Sequence, residues 1–153
     1  MNICPKFLYG GSDIPWMNPQ CIGINNLPPR THLHVYSSEK EAIISESRES
    51  DWFLSLDGEW KFSLFQKPAD LKPGNILPDG EDSGWRSINV PGNWMMQGYD
   101  YPHYTNVQMP FPNQPPIVPK KNPTGVYRKI FTLPKEWKNR RTVIHFGGVE
   151  SSF

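Results

Sequence analysis

The residues best suited to ligand chemistry lie together in the aromatic loop, Val90–Val107, which reads VPGNWMMQGYDYPHYTNV. Its backbone-directing residues are Pro91, Gly92, Gly98 and Pro102, and its large aromatics are Trp94, Tyr99, Tyr101 and Tyr104. Prolines and glycines at this density exclude a helix, because they remove amide donors or leave φ unrestrained. The run therefore predicts an ordered loop that ends in the amide-bearing pair Thr105-Asn106. Aromatic faces pack on the C–H faces of a pyranose, and an amide both donates to and accepts from hydroxyls, so the loop favours sugar recognition.

Short strands joined by turns are predicted around this loop. Large apolar residues alternate in Leu54-x-Leu56 and in Trp60-x-Phe62-x-Leu64, on either side of the turn-forming dipeptide Asp57-Gly58. The pattern predicts a half-buried hairpin whose core face carries Trp60, Phe62 and Leu64. Residues 66–84 are a predicted loop, and further strands are predicted at Trp85–Pro91, Gly125–Leu133 and Thr142–Phe146. Strands that are all joined by turns rather than helices indicate an all-β, antiparallel β-sandwich.

Residues 1–50 are predicted to form an extended N-terminal arm with one short helix, ahead of the sandwich at residues 51–153. Prolines interrupt the arm at Pro5, Pro15, Pro19, Pro28 and Pro29. The run Ser38-Glu39-Lys40-Glu41 matches a capping box, and it precedes the apolar residues Ala42-Ile43-Ile44.

Composition and charge exclude several classes of function. Sixteen Lys and Arg residues face fifteen Asp and Glu residues, so no net charge draws the chain to nucleic acid or to anionic lipid. No apolar run approaches the roughly 18 residues of a membrane span, and Pro5, Lys6 and Gly10 interrupt any signal-peptide core. Cys4 and Cys21 form no C-x-x-C motif, which indicates a reducing compartment. We expect a soluble, cytoplasmic protein with neither a nucleic-acid nor a membrane partner.

Several motifs resemble, in order and spacing, the N-terminal part of bacterial-type, large-subunit-like β-galactosidases of glycoside hydrolase family 2. The aromatic loop is similar to the family signature PSNW…GYD.P.YTNV. The other matching elements are Trp16–Pro19, Ile24–Arg30, Ser55–Phe62, Asn122–Arg128 and Phe146–Phe153. The resemblance covers nearly the whole chain from about Trp16 onward. Because several motifs occur in the same order and spacing, the resemblance is specific.

The resemblance implies a jelly-roll, galactose-binding-like sandwich that is incomplete at its C-terminus, with the catalytic TIM barrel absent. Retaining glycosidases need two carboxyl groups about 5–5.5 Å apart. The family carries its acid/base in an Asn-Glu dipeptide, and this sequence contains none. Asp57 and Glu59 are interpreted as turn residues, and Asp100 as a residue that orients the aromatic loop. We therefore expect no catalytic residue here and no activity from this chain alone.

One substrate site is implied by the resemblance. Asn106 would hydrogen-bond the galactosyl hydroxyls and Val107 would line the pocket, although the residues alone also allow Asn106 to cap its own loop.

Some family members hold Mg²⁺ through an Asp before the W-x-N-P element. Here Pro15 stands at that position, so neither Asn18 nor any other residue is assigned to a metal. Mg²⁺ and Na⁺ are implied only for the complete enzyme. The histidines are predicted to form no ligand pair: His32, His34, His103 and His145.

The favoured interpretation is the sugar-binding part of a β-galactosidase that hydrolyses terminal non-reducing β-D-galactose residues of lactose-type galactosides. Its partners would be the substrate and the remainder of the enzyme, assembled as a homo-oligomer. One alternative is a subunit of a split enzyme that pairs with a barrel-bearing chain. Another is a free carbohydrate-binding module that uses tryptophans as a platform, namely Trp52, Trp60, Trp85 or Trp94.

Overall fold

A computed structural model of the chain describes residues 14–24, 26–102, 114 and 116–149. These residues fall into two compact units. The first contains the described residues up to Ile24 and within 57–129, and the second contains those within 25–56 and from 130 onward. The division predicted at residue 50, between an arm and a sandwich, stays a prediction.

A three-stranded antiparallel sheet forms the centre of the first unit. Its strands are β1 (Gly58–Phe65), β2 (Arg86–Val90) and β3 (Thr124–Arg128), in the order β2-β1-β3. The register runs from Gly58↔Val90 to Phe62↔Arg86 on one side of β1, and from Lys61↔Arg128 to Phe65↔Thr124 on the other. The predicted all-β, antiparallel class is confirmed, and the strand predicted at Trp85–Pro91 is β2.

Helices in the described residues are short and lie outside the sheet. They are α1 (Glu39–Ile44), α2 (Pro73–Ile76) and single 3₁₀ turns at Pro15–Met17, Ser47–Glu49, Pro68–Asp70, Trp94–Gln97 and Lys135–Trp137. None of the described helices is long and apolar enough to cross a bilayer.

The predicted hairpin over Asp57-Gly58 is wrong. A hairpin there would pair Lys61 with Leu54, but Lys61 already lies opposite Ser87 on β2 and opposite Arg128 on β3. A strand has only two hydrogen-bonding edges, so no edge is left at Lys61 for Leu54. Residues 53–57 accordingly lie outside any strand.

Two predicted strands are shorter than expected or do not form. The strand predicted over Gly125–Leu133 ends at Arg128. If β3 continued in the same register along β1, residue 130 would lie opposite Glu59. The carbonyl oxygen of Glu59 instead accepts a hydrogen bond from Lys129 Nζ at 2.8 Å. Residues 142–146 carry the alternating pattern of a strand but are not in one. Alternation of apolar and polar residues gives a segment two different faces, but it does not supply a neighbouring strand with which to pair.

The sheet buries its aromatic centre on one face. Phe62 is only 1% exposed, and Ile88 on β2 is 2% exposed. Phe62 contacts three rings at centroid distances of 4.6 Å (Tyr99), 4.7 Å (Tyr127) and 5.7 Å (Trp94). We call Phe62 and these three rings the aromatic anchor. The predicted core face is confirmed, since Trp60 and Leu64 share the side of Phe62 and are half-buried.

Gly125 on β3 makes room for the aromatic anchor. It lies opposite Leu64, on the same face of the sheet as Phe62. A Cβ atom at this position would lie 2.4 Å from the Trp94 ring and 2.6 Å from the Phe62 ring. Only glycine allows both rings to approach β3 this closely.

Arg128 organises the opposite side of the first unit, where the loop of residues 66–84 is held. Its guanidinium donates to Gly80 O (2.6 Å), Asp82 Oδ2 (2.9 Å), Leu77 O (2.9 Å) and Asn75 O (3.3 Å). The indole of Trp85 lies 4.7 Å from the guanidinium carbon. Lys61 Nζ donates to the other carboxylate oxygen of Asp82 at 2.6 Å. The hydrogen bonds from Lys61 and from Arg128 lower the pKa of Asp82, because both stabilise its ionised form.

The second unit contains the helix predicted from the capping box. Ser38 Oγ accepts from the Glu41 amide at 3.2 Å, and Glu41 Oε2 accepts from the Ser37 amide at 2.8 Å. The predicted cap is therefore present, and α1 begins directly after Ser38.

Side-chain contacts join the residues just before α1 to Ser50 and Trp52, and join Trp52 to Arg140, within the same unit. Trp52 Nε1 donates to Ser37 Oγ at 2.8 Å, and the guanidinium carbon of Arg140 lies 4.1 Å above the Trp52 ring. Ser50, which is 4% exposed, donates from its hydroxyl to Val35 O and accepts from the Trp52 amide at 3.1 Å. The buried hydroxyl of Ser50 is thus satisfied both as a donor and as an acceptor.

The contact between Gly125 and the aromatic anchor predicts the effect of one substitution. Gly125→Ala should destabilise the first unit by about 1–3 kcal/mol, because the added methyl group overlaps the Trp94 ring and the buried Phe62 ring. The lowered midpoint of urea unfolding, followed by tryptophan fluorescence, measures this. Gly84→Ala is the matched control, since a Cβ atom there meets nothing within 4 Å. Equal midpoints for the two variants would contradict the packing role of Gly125.

Candidate functional site at the aromatic loop

The aromatic loop begins where β2 ends, and the structure describes it as far as Pro102. Asn93 Oδ1 accepts from the Met95 amide at 3.0 Å and so caps the 3₁₀ turn Trp94–Gln97. The turn ends at Gly98, whose φ of +87° lies in the left-handed region. These local bonds give the first half of the loop a defined course without a helix or a strand.

The Gln97 side chain fastens this turn to the outer edge of β2. Its Oε1 accepts from the Asn89 amide at 2.8 Å, and its Nε2 donates to the Asn89 carbonyl at 3.0 Å. The primary amide thus takes the two hydrogen bonds that a neighbouring strand would otherwise make. Gly92 permits this approach, since a Cβ atom there would lie 2.6 Å from Gln97 Nε2 and 2.7 Å from Asn89 O.

Two of the loop aromatics serve packing. Trp94 and Tyr99 belong to the aromatic anchor and contact Phe62 from opposite ends of the turn. Their rings therefore hold the loop on the sheet, where the sequence pattern favoured a sugar-stacking surface. Desolvation by this packing raises the pKa of Tyr127, another anchor ring.

The tryptophans proposed as a binding platform also have neighbours on their rings. Trp60 meets Tyr127 edge to face at 6.5 Å, and Trp94 packs on Phe62. Guanidinium groups lie over the other two rings, that of Arg128 over Trp85 and that of Arg140 over Trp52. This arrangement disfavours a platform of bare indole faces.

Beyond the turn, the loop becomes exposed. Asp100 has a positive φ of +56°, and Tyr101 is 56% exposed with Lys121 Nζ 5.4 Å from its ring centroid. The two site residues implied by the sequence, Asn106 and Val107, lie outside the described residues. The structure therefore gives the foundation of the loop, up to four residues before Asn106.

Comparison with known proteins identifies the domain that carries this loop. The family model for the sugar-binding domain of glycosyl hydrolases family 2 matches residues 53–153. The chain belongs to this family. The match includes the three strands, the aromatic anchor and the whole aromatic loop, so the resemblance seen in the sequence is confirmed.

Proteins named beta-galactosidase from three bacteria are among the similar ones. The chain is 45% identical over 138 residues to that of Vibrio cholerae, 43% identical over 138 residues to that of Psychromonas ingrahamii, and 39% identical over 142 residues to that of Priestia megaterium. These alignments cover 89–90% of the chain but only 13–14% of each relative. The chain thus spans about one-seventh of the length of the curated relatives it matches.

Two other residues from motifs of the sequence analysis lie apart from the aromatic loop, Asn18 and Glu59. Asn18 Oδ1 accepts from the Gln20 amide at 3.0 Å, which is a turn-stabilising bond. Glu59 lies at the start of β1, and its side chain is exposed. Within the described residues, no group of three His, Cys, Asp or Glu side chains is arranged to hold a metal ion.

A cluster of three histidines in the second unit was not predicted. His32 lies 4.2 Å from His34 and 4.6 Å from His145 between ring centroids, and the ring of Phe53 lies beside the first two. The spacing of His32 and His34 does place both on one face of an extended segment, as the sequence indicates. The approach of His145, more than a hundred residues later, depends on tertiary structure and left no local signal.

The bonds between Gln97 and Asn89 predict how the loop responds to mutation. Gln97→Ala should speed hydrogen exchange of the Asn89 amide about fivefold, because a solvent-exposed hydrogen bond contributes on the order of 1 kcal/mol. NMR-detected exchange measures this. Gln97→Glu is the matched variant, since it keeps an acceptor for the Asn89 amide and replaces the donor with a negatively charged carboxylate oxygen. Unchanged Asn89 exchange in Gln97→Ala would show that the side chain does not hold the loop.

Proposed function

We propose that this chain provides the sugar-binding domain of a β-galactosidase that hydrolyses terminal non-reducing β-D-galactose residues of lactose-type galactosides with retention. The observation that carries the proposal is the aromatic loop, which is fastened to β2 and to the aromatic anchor and lies within the family match. The name shared by the relatives, beta-galactosidase, supports the choice of galactosides over other sugars.

Asn106 and Val107 are the proposed substrate contacts. The Asn106 amide would donate to one galactosyl hydroxyl and accept from another, and Val107 would line the same pocket. A contact residue on a loop needs a rigid base, because ordering a loop at the moment of binding subtracts from affinity. The described half of the loop supplies such a base at Trp94, Gln97 and Tyr99.

The chemistry itself would come from another part of the enzyme. Retention requires a nucleophilic carboxylate and an acid/base carboxyl about 5–5.5 Å apart. The sequence lacks the Asn-Glu dipeptide of the family, and we assign no catalytic role to its acids. The partner would be the remainder of the β-galactosidase or a separate chain that bears the barrel, and the working enzyme would be a cytoplasmic homo-oligomer.

Mg²⁺ and Na⁺ belong to the proposal only for the complete enzyme. Within the described residues no group of three His, Cys, Asp or Glu side chains is arranged to hold a metal ion, and the Asn18 side-chain oxygen accepts from the Gln20 amide. The proposal therefore assigns neither ion to a residue of this chain.

The proposed function predicts that the 153-residue chain is inactive by itself. Purified from a host that lacks β-galactosidase, it should not hydrolyse 2-nitrophenyl β-D-galactoside, because no assigned acid can act as nucleophile. Turnover above that of a buffer blank, persisting through repeated purification, would contradict the proposal. Addition of the rest of the enzyme, which carries the catalytic barrel, should produce turnover. If the two parts bind each other without turnover, the proposed role of this chain is contradicted.

A second prediction concerns Asn106 in the complete or reconstituted enzyme. Asn106→Ala should lower kcat/KM roughly ten- to a hundredfold, since an unmade hydrogen bond in a desolvated site costs about 1–3 kcal/mol and each 1.36 kcal/mol is about tenfold in rate. Steady-state kinetics with a galactoside measures this, and thermal unfolding should show little change. Gln66→Ala, which removes an exposed amide, is the control. If Asn106→Ala leaves the kinetics unaltered, Asn106 does not contact the substrate and instead caps its own loop.

A further inference from the structure

The histidine cluster of the second unit combines three titratable rings from two distant parts of the chain. His32 is the central ring, tilted by 35° against His34 and stacked at 17° on His145. His32 and His34 come from residues 26–36, whereas His145 comes from residues 141–146. The rings therefore form a direct contact between two segments that lack strand hydrogen bonds.

Neutral and protonated imidazoles behave differently in such a contact. Neutral rings gain from close stacking. Protonated rings carry like charges at a separation of about 4–5 Å, which opposes the same contact. In addition, His34 Nδ1 is buried and has no hydrogen-bond partner, so protonation there would create a buried donor without an acceptor.

The charged surroundings do not compensate for this repulsion. The groups that act on His32 through charge are His34, His145 and Arg30, and all of them are cationic when protonated. Phe53 contributes an uncharged ring to the cluster. Along the sequence, the described charged residues nearest to Phe53 and to His145 are Asp51 and Arg141, and neither is among the groups that act on His32. Desolvation and these cations lower the pKa of His32.

We propose that the histidine cluster is a pH-sensitive contact, which joins residues 26–36 to residues 141–146 while its imidazoles are neutral and releases them as the imidazoles are protonated. The sign of the pH dependence follows directly. The folded chain binds fewer protons at His32 than the unfolded chain does, so the cluster favours folding above pH 6.5 and loses that contribution as the pH falls below it. The proposal does not depend on the sugar-binding role.

The test is an NMR titration of the histidine rings in the full 153-residue chain. At pH 7.5, ring protons of His32 and His145 should show a mutual nuclear Overhauser effect, which should disappear by pH 5. The His32 titration midpoint should lie below 6.5, the ordinary value for histidine. A midpoint at or above 6.5, or an Overhauser effect that is absent at pH 7.5 or unchanged at pH 5, would overturn the proposal.

Two substitutions at one position separate charge from shape. His145→Phe keeps a stacking ring without charge, so the His32 midpoint should rise relative to the native chain. His145→Lys places a permanent cation beside His32, so the midpoint should fall. Ile144→Lys adds the same charge at the neighbouring exposed residue and should leave the midpoint unchanged. Equal midpoints in His145→Phe and His145→Lys, or an Ile144→Lys shift as large as that of His145→Lys, would overturn the proposal.

Discussion

The burial of Phe62 is the interaction on which the first unit depends. Phe62 lies on the central strand, opposite Tyr127, and its ring contacts both Trp94 and Tyr99 of the aromatic loop. Removing a ring of this kind from a core costs about 3–5 kcal/mol, much of the stability of an ordinary domain. The same contact that closes the sheet's core thus fixes the start of the loop proposed to bind sugar.

The other face of the sheet is held by polar contacts of a different kind. Arg128 is 12% exposed at its side chain, so its charge needs acceptors within the protein. It finds them in backbone carbonyls of the 66–84 loop and in Asp82, which Lys61 also bonds. Backbone hydrogen bonds within the loop form α2 and the 3₁₀ turn Pro68–Asp70. The Arg128 guanidinium adds bonds to the carbonyls of Asn75, Leu77 and Gly80, and so fastens this loop to β3.

The sequence predicted the features whose cause is local. Period two placed Trp60, Phe62 and Leu64 on one face, and the spacing of Ser38 and Glu41 predicted the cap of α1. The sequence did not predict strand pairing correctly where distant segments compete for the same strand edge. Leu54 was expected to pair with β1, but β2 and β3 occupy both edges of that strand.

The same limit applies to the candidate site. The sequence predicted an ordered aromatic loop, and its use in sugar recognition stays a prediction. It assigned Trp94 and Tyr99 to that binding because an aromatic side chain looks the same in a core and in a site. What distinguishes the two roles is Gly125, whose missing side chain admits the Trp94 ring to the sheet. The histidine cluster was missed for the same reason, since His145 meets His32 only in three dimensions.

The described residues of the aromatic loop differ in exposure. Trp94, Gln97 and Tyr99 are partly buried and contact the sheet, whereas Tyr101 is 56% exposed. The loop is therefore held on the sheet up to Tyr99 and is exposed at Tyr101. An amide that is proposed to reach a ligand is best placed beyond such contacts, yet close enough to them to be held in position. Asn106 lies seven residues beyond Tyr99, which fits a contact residue better than a member of the core.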